Sequence, residues 1–310
     1  MTCPLCNSSN TSPVERKDEN GNLEKTSFHF IFGVKFLRCR ECTFVFADFI
    51  HPDLLDFYYR KMCRKGVSGE DLNNLRKSSR ENGLSQLRYL EPYLPREVMR
   101  VLDFGGGAGE AARLYVDKAE TVFITEKDAR YSEELRDDPN LSFIEDDVLD
   151  DAKYRSFFDL VIHSNTLEHM IFPVYQLARL SRIISPGGLL FIEIPNEAEL
   201  AADHNYYGRQ HVVFFSVETA RLLVERQGSF DIVDIRTCNQ SLSELKETWV
   251  MKWEYDRLLN EDGRTIRMIL RNERPVTDVE PTEMSETSLD EACSALSNNL
   301  YEMSEILGRV

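Results

Sequence analysis

Asp103-Phe104-Gly105-Gly106-Gly107-Ala108-Gly109-Glu110 is the stretch that decides how this chain folds. An apolar run, Val98-Met99-Arg100-Val101-Leu102, leads into it, and Ala111, Ala112 and Leu114 follow at helix-compatible spacing. A strand that ends in a glycine loop and opens into a helix surrounds a small ligand with free backbone N–H groups. Glycine lets the backbone bend sharply there and approach the ligand closely. Gly105, Gly107 and Gly109 stand at alternate positions after Asp103. A dinucleotide-binding loop spaces its glycines at the first, third and sixth positions. The sixth position here is Glu110, whose charge repels a pyrophosphate at a helix start, so NAD and FAD are disfavoured and a nicotinamide oxidoreductase with them.

Downstream, strand-like and helix-like segments alternate. Thr121 to Thr125 is a β-branched run ending in Glu126, and Asp128 to Arg136 reads as helix, closed by Asp137-Asp138-Pro139. Leu141 to Ile144, Phe158 to His163 and Leu189 to Ile194 are the next strands. Pro173 to Ile184 is the helix before Ser185-Pro186-Gly187-Gly188, a turn. Repeated βα units of this length predict a parallel sheet with helices on both faces, and ligands in such sheets lie beyond the carboxyl ends of the strands. Glu126 ends the second strand, where a carboxylate can accept both hydroxyls of a ribose. Ser216 to Gln227 then reads as helix, Phe230 to Ile235 as a sixth strand, Gln240 to Asn260 as an inserted helix, and Thr265 to Leu270 as a final antiparallel strand.

These landmarks together resemble the class I S-adenosylmethionine-dependent methyltransferases. The glycine loop is similar to their first motif, Phe157 to Ile162 followed by Asn165-Thr166-Leu167-Glu168-His169 to their fourth, and Pro186-Gly187-Gly188 to the stop before their fifth strand. The resemblance covers Leu84 to Ile235. It implies S-adenosylmethionine as cofactor and an α/β, Rossmann-like seven-stranded sheet. Asp103, Gly105, Gly107 and Gly109 would cradle its methionine and ribose end, Asp147 would accept from the adenine amino group, and the Val148 N–H would contact the ring. Asn165 would lie near the sulfonium. His169 would shape the cofactor pocket or act as a base.

The N-terminus carries two Cys-x-x-Cys pairs, Cys3 with Cys6 and Cys39 with Cys42. Each pair offers two thiolates to one tetrahedral Zn²⁺, and four of them close a structural site with no open position for chemistry. The second pair follows a strand-like run, Phe28 to Leu37, and precedes another, Thr43 to Phe46, the layout of a zinc ribbon. His29 and His51 are substitute ligands, and Cys63, Cys238 and Cys293 read as ordinary reduced thiols. Phe57, Tyr58 and Tyr59 follow, in a linker that packs the ribbon on the core or lines a substrate mouth. The charged stretch Arg60 to Arg80 reads as a loop running into a helix, on which Leu84, Leu87 and Leu90 share a face before Pro92 and Pro95. The expected domains are a zinc ribbon over 1–48, an aromatic linker and helix over 49–97, the methyltransferase core over 98–274, and an acidic helical tail over 275–310. In that tail eight acids face one Arg.

A ribbon joined to this core is similar to a bacterial group that includes sugar C-methyltransferases. Those enzymes carry a Tyr-His-Glu-His run before an apolar strand and a serine. Here Tyr206-Tyr207-Gly208-Arg209-Gln210-His211 precedes Val212 to Ser216. His211 matches the last histidine of that run, but Gln210 stands in place of its Glu and Tyr207 is one residue further off. The resemblance makes His211 the candidate general base, with Tyr207 and His169 as further catalytic candidates. The implied acceptor is a small molecule or a glycan-linked group, nucleotide sugars included. A net charge of −16, from 37 basic and 53 acidic residues, disfavours nucleic acid and anionic membrane as partners. Seven cysteines behind a terminus that reads as no export signal point to a reducing, cytoplasmic setting. The competing class is a non-catalytic scaffold that keeps ribbon and fold for partner binding.

Overall fold

The computed structural model describes residues 1–14, 35–48, 50, 55–56, 58–62, 68–95, 98–145, 147–199, 211–248, 252–255 and 257–274. Tyr207, the loop ahead of His211, the tail 275–310, His29, His51, Cys63, Cys293 and most of Phe28 to Leu37 lie outside these.

The described residues form two sheets. The small one joins β1 (Thr11–Pro13), β2 (Phe36–Cys39) and β3 (Val45–Ala47) to β9 (Val213–Phe214), all antiparallel. The large one holds β4 (Val98–Phe104), β5 (Ala119–Thr125), β6 (Ser142–Phe143), β7 (Phe158–Ser164), β8 (Ile184–Pro195), β10 (Phe230–Ser241) and β11 (Gly263–Asn272). Its order is β10-β11-β8-β7-β4-β5-β6. β5, β6, β7 and β8 run parallel to their neighbours around β4, whereas β11 lies antiparallel between β8 and β10. The strand order reverses beside β4, so the carboxyl ends of β4 and β7 flank the crevice where such sheets take ligands.

Burial on both faces explains the unbroken apolar runs. Leu102, Val161, Leu190, Ile192 and Met268 point into one core, shared with Leu177 and Leu180 of α3 (Pro173–Ile183) and Leu223 of α4 (Val217–Gln227). Their neighbours Val101, Leu160, Ile162, Phe191 and Ile269 point into the other, against Leu87 and Leu90 of α1 (Gly69–Leu90) and Leu135 of α2 (Ala129–Arg136). The first core continues into the small sheet through Phe36, Phe44, Phe46, Phe214 and Phe215. Phe214 meets the Phe36 ring edge-on at 5.1 Å, and Phe215 lies 5.2 Å from Phe44. Each fully buried Phe contributes about 1.5–3 kcal/mol of burial, so the small sheet is held by apolar contact as well as by its ladder.

Local chemistry sets the ends. The Ser68 Oγ accepts from the Asp71 N–H to open α1, and Asp128 caps α2. Ser216 and Thr219 form a reciprocal capping box on α4, which Gly228 closes in the left-handed conformation. Four expectations change. The glycine loop opens into a single 3₁₀ turn, Ala112–Tyr115, because the link from Gly109 to Ala119 has room for little more. Ser185 to Gly188 is a bulge inside β8 rather than a free turn, since Phe158 already pairs with Ile184. Leu84 is exposed, so only Leu87 and Leu90 face the core. The segment 240–260 is helical only over α5 (Leu242–Thr248) among its described residues. Its apolar residues make no single stripe, and Trp253 instead stacks with Tyr255 beneath the Arg264 guanidinium.

Candidate active site

The carboxyl ends of β4, β5 and β7 bring the cofactor-side candidates together. Gly105, Gly107 and Gly109 all take positive φ, at 72°, 57° and 76°, which turns the loop back over the strand end. Gly106 is required by proximity: a Cβ there would stand 2.6 Å from Asp103 Oδ2. The Gly107 N–H donates to Glu126 Oε2 at 2.7 Å, and the Asp128 N–H donates to Oε1 at 2.7 Å. Asp103 and Glu126 are thus tied to one loop. Asp103 is 3% exposed and its Oδ2 has no hydrogen-bond partner among the described residues. Burial, reinforced by the Glu126 charge, pushes its carboxyl up to about 7. Two acids are thus clustered at this strand end, one of them with a carboxylate oxygen that no described group satisfies.

Asn165 sits just past β7 with φ at 48°. Its side-chain amide donates to Glu193 Oε1 at 3.1 Å, and its N–H donates to the Glu193 carbonyl at 2.8 Å. Glu193 also accepts from Asn82, Gln86 and Ser164, and is paired with Arg267 at 2.6 Å. Burial opposes its ionisation, but Arg267 and these donors hold the carboxyl below the usual range. This network pins α1 to the sheet beside Asn165. Asp147 stands apart: it is exposed, accepts from the Leu149 N–H and pairs with Arg179 at 2.9 Å, while Val148 beside it is buried.

A second group faces the same end from the other side. His211 lies two residues ahead of the small sheet's last strand, and the Val212 N–H donates to the Glu168 carbonyl at 2.9 Å. His211 Nδ1 donates to Glu197 Oε2 at 2.9 Å. Its Nε2 lies 3.9 Å from Glu168 Oε1, and His169 Nε2 lies 3.8 Å from the same oxygen. Tyr59 Oη is hydrogen-bonded to His169 Nδ1 at 2.7 Å. Burial depresses the His211 imidazole, but the Glu197 charge and hydrogen bond, with Glu168, outweigh it and raise its basicity. Burial pushes Glu168 up to about 7. A histidine whose Nδ1 is held by a carboxylate is oriented to accept a proton at Nε2.

The structure therefore joins His211 to His169 and adds Glu168, Glu197 and Tyr59. Glu168 lay inside a motif already read for its histidine. Glu197 follows Ile194-Pro195-Asn196 at a strand end, a place where a carboxylate is a usable signal in a parallel sheet. Tyr59 carried only the aromatic-linker signal.

At the far end of the small sheet, Cys3, Cys6, Cys39 and Cys42 converge, with their sulfurs mutually within 4.8 Å. Cys3 Sγ lies 3.7 Å from Cys42 Sγ, and Cys6 Sγ 3.5 Å from Cys39 Sγ. None of the four is in a disulfide. No described helix is long and apolar enough to cross a membrane.

No curated protein matches the sequence. Among solved structures, similar folds include the methyltransferase complexed with the Trm112 methyltransferase activator of Haloferax volcanii. It is 15% identical over 70% of this chain and 97% of that one, at a TM-score of 0.49. An S-adenosylmethionine-dependent methyltransferase of Thermotoga maritima is 20% identical over 66% and 95%, at 0.47. The N-methyltransferase NodS of Bradyrhizobium japonicum is 15% identical over 63% and 97%, at 0.43. The decisive match is in sequence: a methyltransferase-domain family model aligns with residues 77–234, which run from α1 through the glycine loop and His211 into β10. With that match over half of its length, the seven-stranded order and the glycine loop in place, the chain belongs to the class I S-adenosylmethionine-dependent methyltransferase domain family.

Proposed function

We propose that the protein transfers a methyl group to a small-molecule or glycan-linked acceptor, nucleotide sugars included, with His211 as general base. The observation that carries this reading is the Glu197–His211 pair, 2.9 Å apart and part-buried beside Glu168 at the ligand end of the sheet. S-adenosylmethionine, when bound, supplies an electrophilic methyl carbon. The chain's own residues do the rest. Asp103, Gly105, Gly107, Gly109 and Glu126 suit its positively charged amino-acid end and ribose. Asp147 and Val148 would hold the adenine, and Asn165, fixed by Glu193, would border the sulfonium. Glu197 holds the His211 ring so that Nε2 takes the acceptor's proton as the new bond forms. Holding acceptor and donor in line supplies much of the remaining rate. His169, hydrogen-bonded to Tyr59, packs against the His211 ring at 5.1 Å, and Tyr207 is a further acceptor-side candidate.

The four cysteines suit structural Zn²⁺. Zn–S bonds of ~2.3 Å in a tetrahedron place sulfurs about 3.8 Å apart, close to the 3.5 and 3.7 Å separations seen. Free thiols paired in this way fit a reducing, cytoplasmic compartment, where disulfides are rare.

The test is release of S-adenosylhomocysteine across a panel of sugars, nucleotide sugars and small hydroxy and amino acceptors. His211→Gln is expected to lower kcat by about 10²–10⁴ on any accepted substrate, while leaving cofactor affinity intact. Full turnover by that variant would refute the base.

A further inference from the structure

We propose that Glu168, His169 and His211 form a second metal site, one that takes a divalent first-row transition cation. Three ligand-type atoms from two separate segments, the 167–169 turn and the approach to β9, point at one spot. His169 Nε2 and His211 Nε2 lie 3.8 and 3.9 Å from the same Glu168 oxygen, beyond hydrogen-bond reach. All three donors fall within 4.8 Å of one another. Bonds of ~2.0–2.2 Å to a shared ion would need only a modest inward shift of these side chains.

The supporting shell strengthens the case. Metal-bound histidines are oriented through their other ring nitrogen by a carboxylate or similar polar partner. Here Glu197 Oε2 holds His211 Nδ1 at 2.9 Å, and Tyr59 Oη holds His169 Nδ1 at 2.7 Å. Both rings are thereby turned with Nε2 towards Glu168. Glu168 itself is 2% exposed, and its Oε2 has no hydrogen-bond partner among the described residues. A buried carboxylate oxygen left in that state is costly, and a cation relieves it. Two imidazoles and one carboxylate suit zinc, cobalt, nickel or iron and not calcium or magnesium, which prefer all-oxygen shells. Unlike the four-cysteine cluster, three protein ligands leave a position open to a further group.

The inference rests on the reading of His211 Nε2 as the atom that faces the acceptor. One lone pair cannot both accept a proton and bind a cation, so occupancy of this site silences the base. Excess zinc then inhibits methyl transfer, and a mild chelator restores it.

The experiment titrates protein already carrying one zinc per chain with Co²⁺, followed by its visible absorption, and with Zn²⁺ by calorimetry. Wild type is expected to take up one further cation, with cobalt bands that lack thiolate charge-transfer absorption. Glu168→Gln and His169→Gln are expected to lose it, each weakening affinity at least tenfold while S-adenosylmethionine binding shows that the fold is kept. Uptake that stops at one cation in wild type, or a second cation kept by either variant, overturns the site. The base is read separately: His211→Gln is assayed against wild type after the second cation is stripped, and retained turnover there refutes the base whatever the titration shows.

Discussion

Asp103→Asn makes the free protein more stable at high pH, by an amount that the site's electrostatics set. The Asp103 carboxyl is pushed up to about 7, first by burial and then by Glu126, against an ordinary value of ~3.9 in the unfolded chain. Between those values the unfolded state has released the proton while the folded state keeps it. Stability is therefore greatest below the unfolded value and is lost as pH rises through the folded one. Each pH unit in that window costs about 1.4 kcal/mol, so the loss between pH 5 and pH 8 is about 3 kcal/mol. Asparagine has no proton to lose. In urea denaturation without ligand, the variant's stability relative to wild type should rise by about 3 kcal/mol from pH 5 to pH 8. Other titrating groups are common to both proteins and cancel. Saturating S-adenosylmethionine should abolish the gain, because its positive groups offset the Asp103 charge. A stability difference that stays flat with pH would show that Asp103 ionises normally and would refute the reasoning.

Other outcomes follow from the same contacts. Stripping the cysteine cluster with a strong chelator should lower the melting temperature and cut turnover more than it weakens cofactor binding. The β3–β9 ladder, which pairs Phe46 with Val213 two residues past His211, joins the cluster's sheet to His211. Equal loss of both readouts would contradict that route. Arg267→Met should destabilise the protein by about 3–5 kcal/mol, since it strands buried Glu193, and calorimetric unfolding measures it. Replacing both partners, Arg267→Met with Glu193→Gln, should recover much of that loss.

The strand ends were more legible than the group around His211. Parallel strands buried on both faces read as apolar runs, so the ends at Asp103, Glu126 and Asn165 could be placed by counting along the chain. What those ends touch could not. Tyr59 and His169 meet across 110 positions, and a carboxylate such as Glu197 reads alike whether it faces solvent or an imidazole. The two-residue strand Val213–Phe214 is too short to carry a period, yet it joins the small sheet to the core. The glycine loop misled in one respect. Its pattern announced a helix, but the short link to Ala119 accommodates one 3₁₀ turn. In 240–260 the lack of a stripe was itself the signal, since a helix that cannot bury one face is held, among the described residues, where Leu242 and Leu245 are covered.

Calorimetric titration with S-adenosylmethionine, comparing wild type with Gly107→Arg, tests the central claim most directly. Among the described residues no atom lies within 4 Å of a Cβ built on Gly107, so an arginine there projects into the open space beyond the strand ends rather than into the core. Wild type should bind one cofactor per chain, and the variant, still folded by circular dichroism, should bind none. Absence of binding by wild type, or equal affinity in the two proteins, would contradict a methyl donor seated in the Asp103 to Glu110 loop.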